Sequence, residues 1–221
     1  MSADLSIRKY LPGDRETLRR IAYETALFGK PELFVNDKEI LADALTLYFT
    51  DYEPESCFVV THGKDVVGYL TGTVDALRMN KISRTKIMVS LFFKALKRRL
   101  LWKRTFVKFT WQALLSYIKG EFRNHNYHAE YPALFHINLD EQFRNEGLGS
   151  RLIKEFENYL QDKHVRGILV GTISDRAKVF FMKNGYRILF KTRRSYLVHE
   201  LNTIYSYYIL GKNLNNARQS L

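Results

Sequence analysis

Apolar residues recur along the chain with two different periods, and the switches between them mark the elements. Leu5-Ser-Ile-Arg-Lys-Tyr-Leu alternates as a half-buried strand and stops at Pro12-Gly13. Asp14 then reads as a helix N-cap, with Thr17, Leu18, Ile21 and Ala22 opening an amphipathic helix. A second helix fits residues 37–48, where Ile40, Leu41, Ala44, Leu45 and Tyr48 share one face. Cys57-Phe-Val-Val-Thr-His and Val66-Val-Gly-Tyr-Leu-Thr-Gly-Thr-Val are predicted strands, joined by the hairpin signal His62-Gly-Lys-Asp. Helical spacing then returns for about 50 residues. Met88, Leu91, Phe92, Ala95 and Leu96 form one series, and Trp102, Phe106, Phe109, Ala113 and Tyr117 a second. Ala133-Leu-Phe-His-Ile-Asn-Leu139 reads as an apolar strand, followed after a polar turn by a helix with Leu152, Ile153, Phe156 and Leu160 on one face. Residues 168–172 are a predicted buried strand, and Ser174 to Tyr186 a short helix closed by Gly185. Arg187-Ile-Leu-Phe-Lys and Ser195-Tyr-Leu-Val-His are the predicted closing strands. One domain is thus expected over residues 1–200, with a helical insertion at 78–128 and a tail at 201–221 whose last ten residues are disordered. No internal repeat or low-complexity block interrupts this pattern.

Charge changes the reading of the insertion. The chain carries 35 Lys+Arg against 23 Asp+Glu, yet no acid falls between Ala76 and Gly120, where 12 of the bases lie. The remaining bases and acids are equal in number, so one segment holds the whole net charge of +12. Three readings fit a basic amphipathic segment. It is a helical flap with a solvated cationic face, a surface for acidic acceptors or CoA phosphates, or a contact to a membrane or nucleic acid. At 221 residues and 46% hydrophobic, the chain has enough material for a core of its own. A single cysteine, Cys57, excludes an internal disulfide framework and fits a reducing compartment. No secretory signal and no bilayer-length apolar run is seen, so a cytoplasmic protein, monomer or homodimer, is expected.

The candidate chemistry lies at the turn Arg144-Asn-Glu-Gly147-Leu-Gly149-Ser150. A strand that gives way to a glycine-bearing helix start gathers free backbone N–H groups at the positive end of the helix dipole, a geometry suited to an anion such as a pyrophosphate. Gly147 and Gly149 carry no Cβ and allow close approach. Together with the later Ser174-x-x-Ala177-x-x-Phe180-Phe181-x-x-x-Gly185-Tyr186, this R-x-x-G-x-G run resembles the GCN5-related N-acetyltransferase (GNAT) superfamily. A narrower resemblance, to the subgroup typified by the acetyltransferase-like domain of O-GlcNAcases, rests on three stretches. These are Glu53-Pro-Glu-Ser-Cys-Phe-Val-Val, Val67-Gly68-Tyr69-Leu-Thr-Gly72 and Tyr131-Pro-Ala-Leu-Phe-His-Ile-Asn-Leu.

The resemblance implies an α/β (α+β) fold, with a mixed, mostly antiparallel twisted sheet of six to seven strands flanked by helices, and the basic insertion between the third and fourth strands. It implies acetyl transfer from acetyl-CoA to a primary amine, with no metal. Backbone groups of Ile137 and Leu139 would pair with the pantetheine arm. The N–H groups of Asn145, Glu146, Gly147, Leu148, Gly149 and Ser150 would take the pyrophosphate, with the charge of Arg144 beside them. Ser174, Ala177, Phe180 and Phe181 would line the far side. Proton transfer is less well provided for. Phe181 stands where the family usually has a tyrosine and has no proton to donate, Ser174 replaces an asparagine, and Asn138 stands where an aspartate is often found. His136, on the same side of its strand as Asn138, is the ionisable candidate for the base, with Asp75 second. A non-catalytic acyl-CoA-binding module whose insertion docks on a membrane or nucleic acid is the alternative.

Overall fold

The computed structural model describes residues 5–29, 37–123, 125–196 and 204–214, and the statements below concern these. Seven strands form a single sheet: β1 (Leu5–Lys9), β2 (Phe58–His62), β3 (Asp65–Thr73), β4 (Ala133–Leu139), β5 (Gly167–Thr172), β6 (Arg187–Arg194) and β7 (Tyr205–Asn213). Their order across the sheet is β1-β2-β3-β4-β5-β7-β6, and every pairing is antiparallel except β4 with β5. Seven α-helices accompany them: α1 (Arg15–Thr25), α2 (Lys38–Tyr52), α3 (Ala76–Ile82), α4 (Met88–Lys97), α5 (Arg104–Ile118), α6 (Leu148–Asp162) and α7 (Asp175–Lys183).

Strand alternation sends side chains into two cores, one on each face of the sheet. Phe58 and Val60 of β2, with Leu70 and Phe135, pack under α6 and α7. Val59, Val66 and Tyr69 face the opposite way, under α1, α2 and α4. This explains why β2 and β3 read as nearly unbroken apolar runs. On α6 the helical spacing places Leu152, Ile153, Phe156 and Leu160 at no more than 2% exposure, each stabilising the fold by about 1.5–3 kcal/mol. Cys57 is fully buried, and burial pushes its thiol up to about 12, which leaves it unreactive.

The insertion is helical, as its periodicity predicts. It comprises α3, a π-helical segment Ser83–Ile87, α4 and α5, and lies between β3 and β4. Lys94 pairs with the buried Asp43 on α2, Arg98 pairs with Asp37, and Leu91, Ala95 and Leu100 join the core beneath α2. The far end of the insertion reaches the segment after β6. There the Ser195 backbone N–H and hydroxyl both donate to the Glu121 carboxylate at 2.6 Å, and the Tyr196 ring packs on Phe109 and Phe122.

The C-terminal part of the chain requires a correction. The last strand is Tyr205–Asn213 and not 195–199: Ser195 and Tyr196 lie outside any strand, and residues 197–199 fall outside the described residues. Strand β7 sits between β5 and β6, with Tyr205, Tyr208 and Leu210 buried. The boundary drawn at residue 200 therefore cuts the domain. Leu214 is still part of the core, and residues 215–221 of the predicted disordered end lie outside the described residues.

The Glu53-Pro-Glu-Ser stretch pins α2 to β3. Buried Glu53 accepts from the Tyr48 hydroxyl at 2.8 Å, the Thr73 hydroxyl at 2.6 Å and the Val74 N–H at 2.7 Å. Burial, with this carboxylate alongside, pushes the Tyr48 hydroxyl up to about 12. Ser56 donates to the carbonyl of Gly72 and also to that of Glu53. Glu53→Ala would leave the buried Tyr48 hydroxyl and the half-buried Val74 N–H without their acceptor, while Thr73 can still donate to the Asp75 carbonyl. A loss of about 3 kcal/mol is therefore expected, read as a lower urea midpoint at unchanged m-value.

Candidate active site

The site begins where the sheet opens. Strands β4 and β5 run parallel and pair only at Ala133↔Ile168 and Leu134↔Leu169, after which they diverge. From there β5 continues in register with β7 as far as Thr172↔Tyr208, while β4 stays on β3 as far as Leu139↔Gly68. A wedge-shaped cleft therefore separates the second half of β4 from β5. The Asp140 N–H donates to Val67 O at 2.9 Å and the Ala76 N–H donates to Pro132 O at 2.8 Å, so even-numbered residues turn their backbone groups toward β3. Alternation puts the backbone groups of Ile137 and Leu139 on the open edge, as a strand-like ligand requires. In this structure the Leu139 carbonyl accepts from Arg144 Nε at 3.1 Å.

At the mouth of the cleft stands the N-terminus of α6. The positive φ of Asn145 (71°) and of Gly147 (76°) turns the chain into the helix, and no side chain caps its start. The first intrahelical bond is Arg151 N–H to Gly147 O at 3.1 Å, which leaves the N–H groups of Leu148, Gly149 and Ser150 without helical acceptors. A Cβ on Gly147 would meet nothing within 4 Å, so the space over this N-terminus is open. Gly149 differs, since a Cβ there would lie 2.9 Å from the Phe180 ring. The cradle thus has room for an anion, backbone donors aimed at it and the positive end of a 15-residue helix behind it. Asn145 and Glu146 are exposed, Leu148 points its side chain into the core and Ser150 is half-buried. A second cation, absent from the sequence-based set, is Arg176, which donates to Asn145 Oδ1 at 3.0 Å. Its position in the first turn of α7, four residues before the aromatic pair of the second motif, is a signal that could have found it.

The residues of α7 separate. Phe180 and Ala177 are half-buried at the edge of the core, and Phe180 spans from α7 to the start of α6. Phe181 is turned inward, 4% exposed, edge-on to Phe135 and tilted against Tyr186, so its expected contact with the cofactor is replaced by core packing. Ser174 caps α7, its hydroxyl oxygen accepting from the Ala177 N–H at 3.2 Å, a structural role.

On the opposite face of β4, His136 and Asn138 do share a side. His136 meets the ring of Phe49 on α2 edge-on at 5.8 Å. Its surface remains accessible, while the protein packed around the ring desolvates it and pushes its pKa below the ordinary imidazole value. Asn138 donates from Nδ2 to the Tyr69 hydroxyl at 2.8 Å. That bond holds the carboxamide in place, and Tyr69, missed by the sequence reading, is the group that orients it. Burial pushes the Tyr69 hydroxyl well above the usual phenol range, so it keeps its proton.

Asp75 requires a correction. Its carboxylate caps α3 and accepts from the Leu77 N–H at 2.9 Å and the Arg78 N–H at 3.0 Å. His136 pairs with Thr71, four residues back along the chain from Asp75, or roughly 13 Å of extended strand. Asp75 is therefore a helix cap away from the cleft. Among the described residues no group of three or more His, Cys, Asp or Glu side chains comes together to hold a metal ion.

Comparison with known proteins agrees with this geometry. No curated protein matches the sequence. Among solved structures, the protein named SsHAT is 21% identical over 96% of this chain and 98% of its own, with a TM-score of 0.67. The Drosophila melanogaster polyamine N-acetyltransferase is 15% identical over 95% of this chain and 100% of its own, with a TM-score of 0.59. A putative acetyltransferase from Salmonella typhimurium, solved with its cofactor acetyl-CoA, is 10% identical over 95% of this chain and 94% of its own, with a TM-score of 0.58. Identities this low speak for the shared fold alone. The sequence profile of the acetyltransferase (GNAT) family, in contrast, matches residues 26–186, most of the chain and both glycine-bearing motifs, and the chain belongs to that family.

Proposed function

We propose that this chain transfers an acetyl group from acetyl-CoA to a primary amine in the cleft between β4 and β5. The observation that carries the reading is the divergence of the two strands after Leu134 and Leu169, which leads directly to the uncapped N-terminus of α6. Bound there, acetyl-CoA supplies an activated acetyl group. The backbone groups of Ile137 and Leu139 hold the pantetheine arm as an added strand, which fixes its reach along β4. The N–H groups of Leu148, Gly149 and Ser150 neutralise the pyrophosphate, with Arg144 and Arg176 alongside.

His136 takes the proton of the incoming ammonium. Its lowered pKa keeps the imidazole neutral at pH 7, the form that accepts a proton. The departing thiolate draws its proton from solvent, since Phe181 has none to give and is buried away from the cleft. The acceptor is an amine without several positive charges. The insertion, acid-free from Ala76 to Gly120, carries the whole net charge of +12, and that charge opposes the approach of a polycation. CoA release from acetyl-CoA, followed across a panel of neutral, acidic and polycationic amines, tests this reading. Amine-dependent release that is strongest outside the polycations is expected. Full acetyl-CoA binding without turnover on any amine would instead favour a non-catalytic acyl-CoA-binding module.

A further inference from the structure

The insertion presents to solvent what a soluble helix normally hides. On α5 the buried face carries Gln112 and Ser116. The outward face carries Val107, Trp111, Leu114 and Ile118, spaced i, i+4, i+7 and i+11, with Trp111 60% and Ile118 71% exposed. On α4, Leu91 and Ala95 face α2, while Val89, Phe92, Phe93 and Leu96 form an exposed apolar stripe of their own. Between the stripes lies the corner of the segment, with Trp102 69% exposed among the exposed cations Lys97, Arg99, Lys103, Arg104 and Lys108. Lys94 and Arg98 are taken up in ion pairs with α2, and these five form none among the described residues. Exposed apolar stripes on two successive helices mark a docking surface.

Charge selects the occupant. A second copy would bring an acid-free cationic segment against itself, and like charges facing each other oppose that contact. Nucleic acid would satisfy the cations, but Val89, Leu96, Leu114 and Ile118 have no π-face to stack on a base and gain nothing from phosphate. An anionic bilayer satisfies both features, since its headgroups attract the cations and its acyl boundary takes the aliphatic and aromatic side chains. No helix among the described residues is long and apolar enough to cross a membrane, so the contact is peripheral. We infer that α4 and α5 dock this enzyme on anionic lipid surfaces, with the apolar stripes entering the interface and the cations at headgroup level. Catalysis at the membrane face would follow, on amines presented there.

The chain offers a direct readout, because its two tryptophans, Trp102 and Trp111, both lie on the insertion. The full chain is titrated with phosphatidylcholine vesicles with and without phosphatidylglycerol, while tryptophan emission and co-sedimentation are followed. A blue shift and sedimentation with the anionic vesicles alone are expected, weakening as salt is raised. The quadruple variant Lys97→Gln, Arg99→Gln, Lys103→Gln, Lys108→Gln should partition on the order of 100-fold or more weakly, at roughly fivefold per cation. Leu114→Ser with Ile118→Ser should lose the blue shift. An unchanged urea midpoint in each variant shows that the fold is intact. No shift with anionic vesicles, equal binding to neutral ones, or retention on duplex DNA without vesicle binding would each overturn the inference. So would an emission already blue-shifted in a concentration-dependent dimer.

Discussion

Replacing Gly147 with tryptophan is expected to weaken acetyl-CoA binding by about 100-fold or more while the protein stays folded. The position has a φ of 76°, a region that costs a non-glycine residue about 1–2 kcal/mol. That strain is the whole effect on stability, because a Cβ there meets nothing within 4 Å and the added side chain points into open space. The same open space is where the oxygens of a pyrophosphate must sit to reach the N–H groups of Leu148, Gly149 and Ser150. Hydrogen bonds to a charged group stabilise by about 1.5–3 kcal/mol each, so displacing two of them lowers affinity by about 100- to 10,000-fold. Gly147→Ala separates the two contributions. It carries the same backbone strain but fills little space, so its stability should match that of the tryptophan variant while most of the affinity returns. Calorimetric titration and urea unfolding of both variants provide the comparison.

His136→Gln should lower kcat/KM by about 100- to 10,000-fold with little change in acetyl-CoA affinity, the pattern of a lost proton acceptor. The ring lies on the face of β4 opposite Phe135, toward Phe49 and α2, so its removal leaves the cofactor edge untouched. The pH profile gives a second readout. Desolvation favours the neutral imidazole, so the rate should fall only as pH drops through a value below the ordinary 6.5, and this acid limb should vanish in the variant. Stability moves in the same direction. A group whose pKa is depressed by folding contributes stability above its unfolded value, and that contribution is lost as pH falls through its folded one. The native chain should therefore lose stability relative to His136→Gln below about pH 6.5.

Much of the site was legible because it is made of local features. A strand, a turn with glycines at the helix start and an apolar helical face are each set within a dozen residues. The expectation for Ile137 and Leu139 comes instead from the family resemblance and agrees with the pairing of β4 on β3. The placement of the last strand depends on long-range pairing. Tyr205–Asn213 reads as an aromatic tail until its insertion between β5 and β6 is seen, and that pairing crosses from one part of the chain to another. Asp75 shows a different limit, since its contacts are local, yet a carboxylate at a strand end looks alike whether it serves a cleft or caps the next helix. Phe181 and Ser174 were read as ligand contacts because the motif places them next to Ala177 and Phe180, yet the turn of α7 sends them to the core and to the cap. Tyr69 and Arg176 were missed because each acts through a partner remote in sequence, Asn138 and Asn145 respectively. Helical spacing in this region picks out Trp102, Phe106, Phe109, Ala113 and Tyr117, whereas the exposed stripe of α5 is Val107, Trp111, Leu114 and Ile118. Which apolar face turns to solvent is set by packing against the rest of the domain.

The central claim is that the diverging strands and the open helix start form an acetyl-CoA site. Calorimetric titration of the intact chain with acetyl-CoA tests it most directly. Binding with a dissociation constant on the order of micromolar, lost in Gly147→Trp and kept in His136→Gln, is the predicted result. The absence of binding by a folded native chain would contradict the account, leaving the glycine turn as a feature of the fold alone.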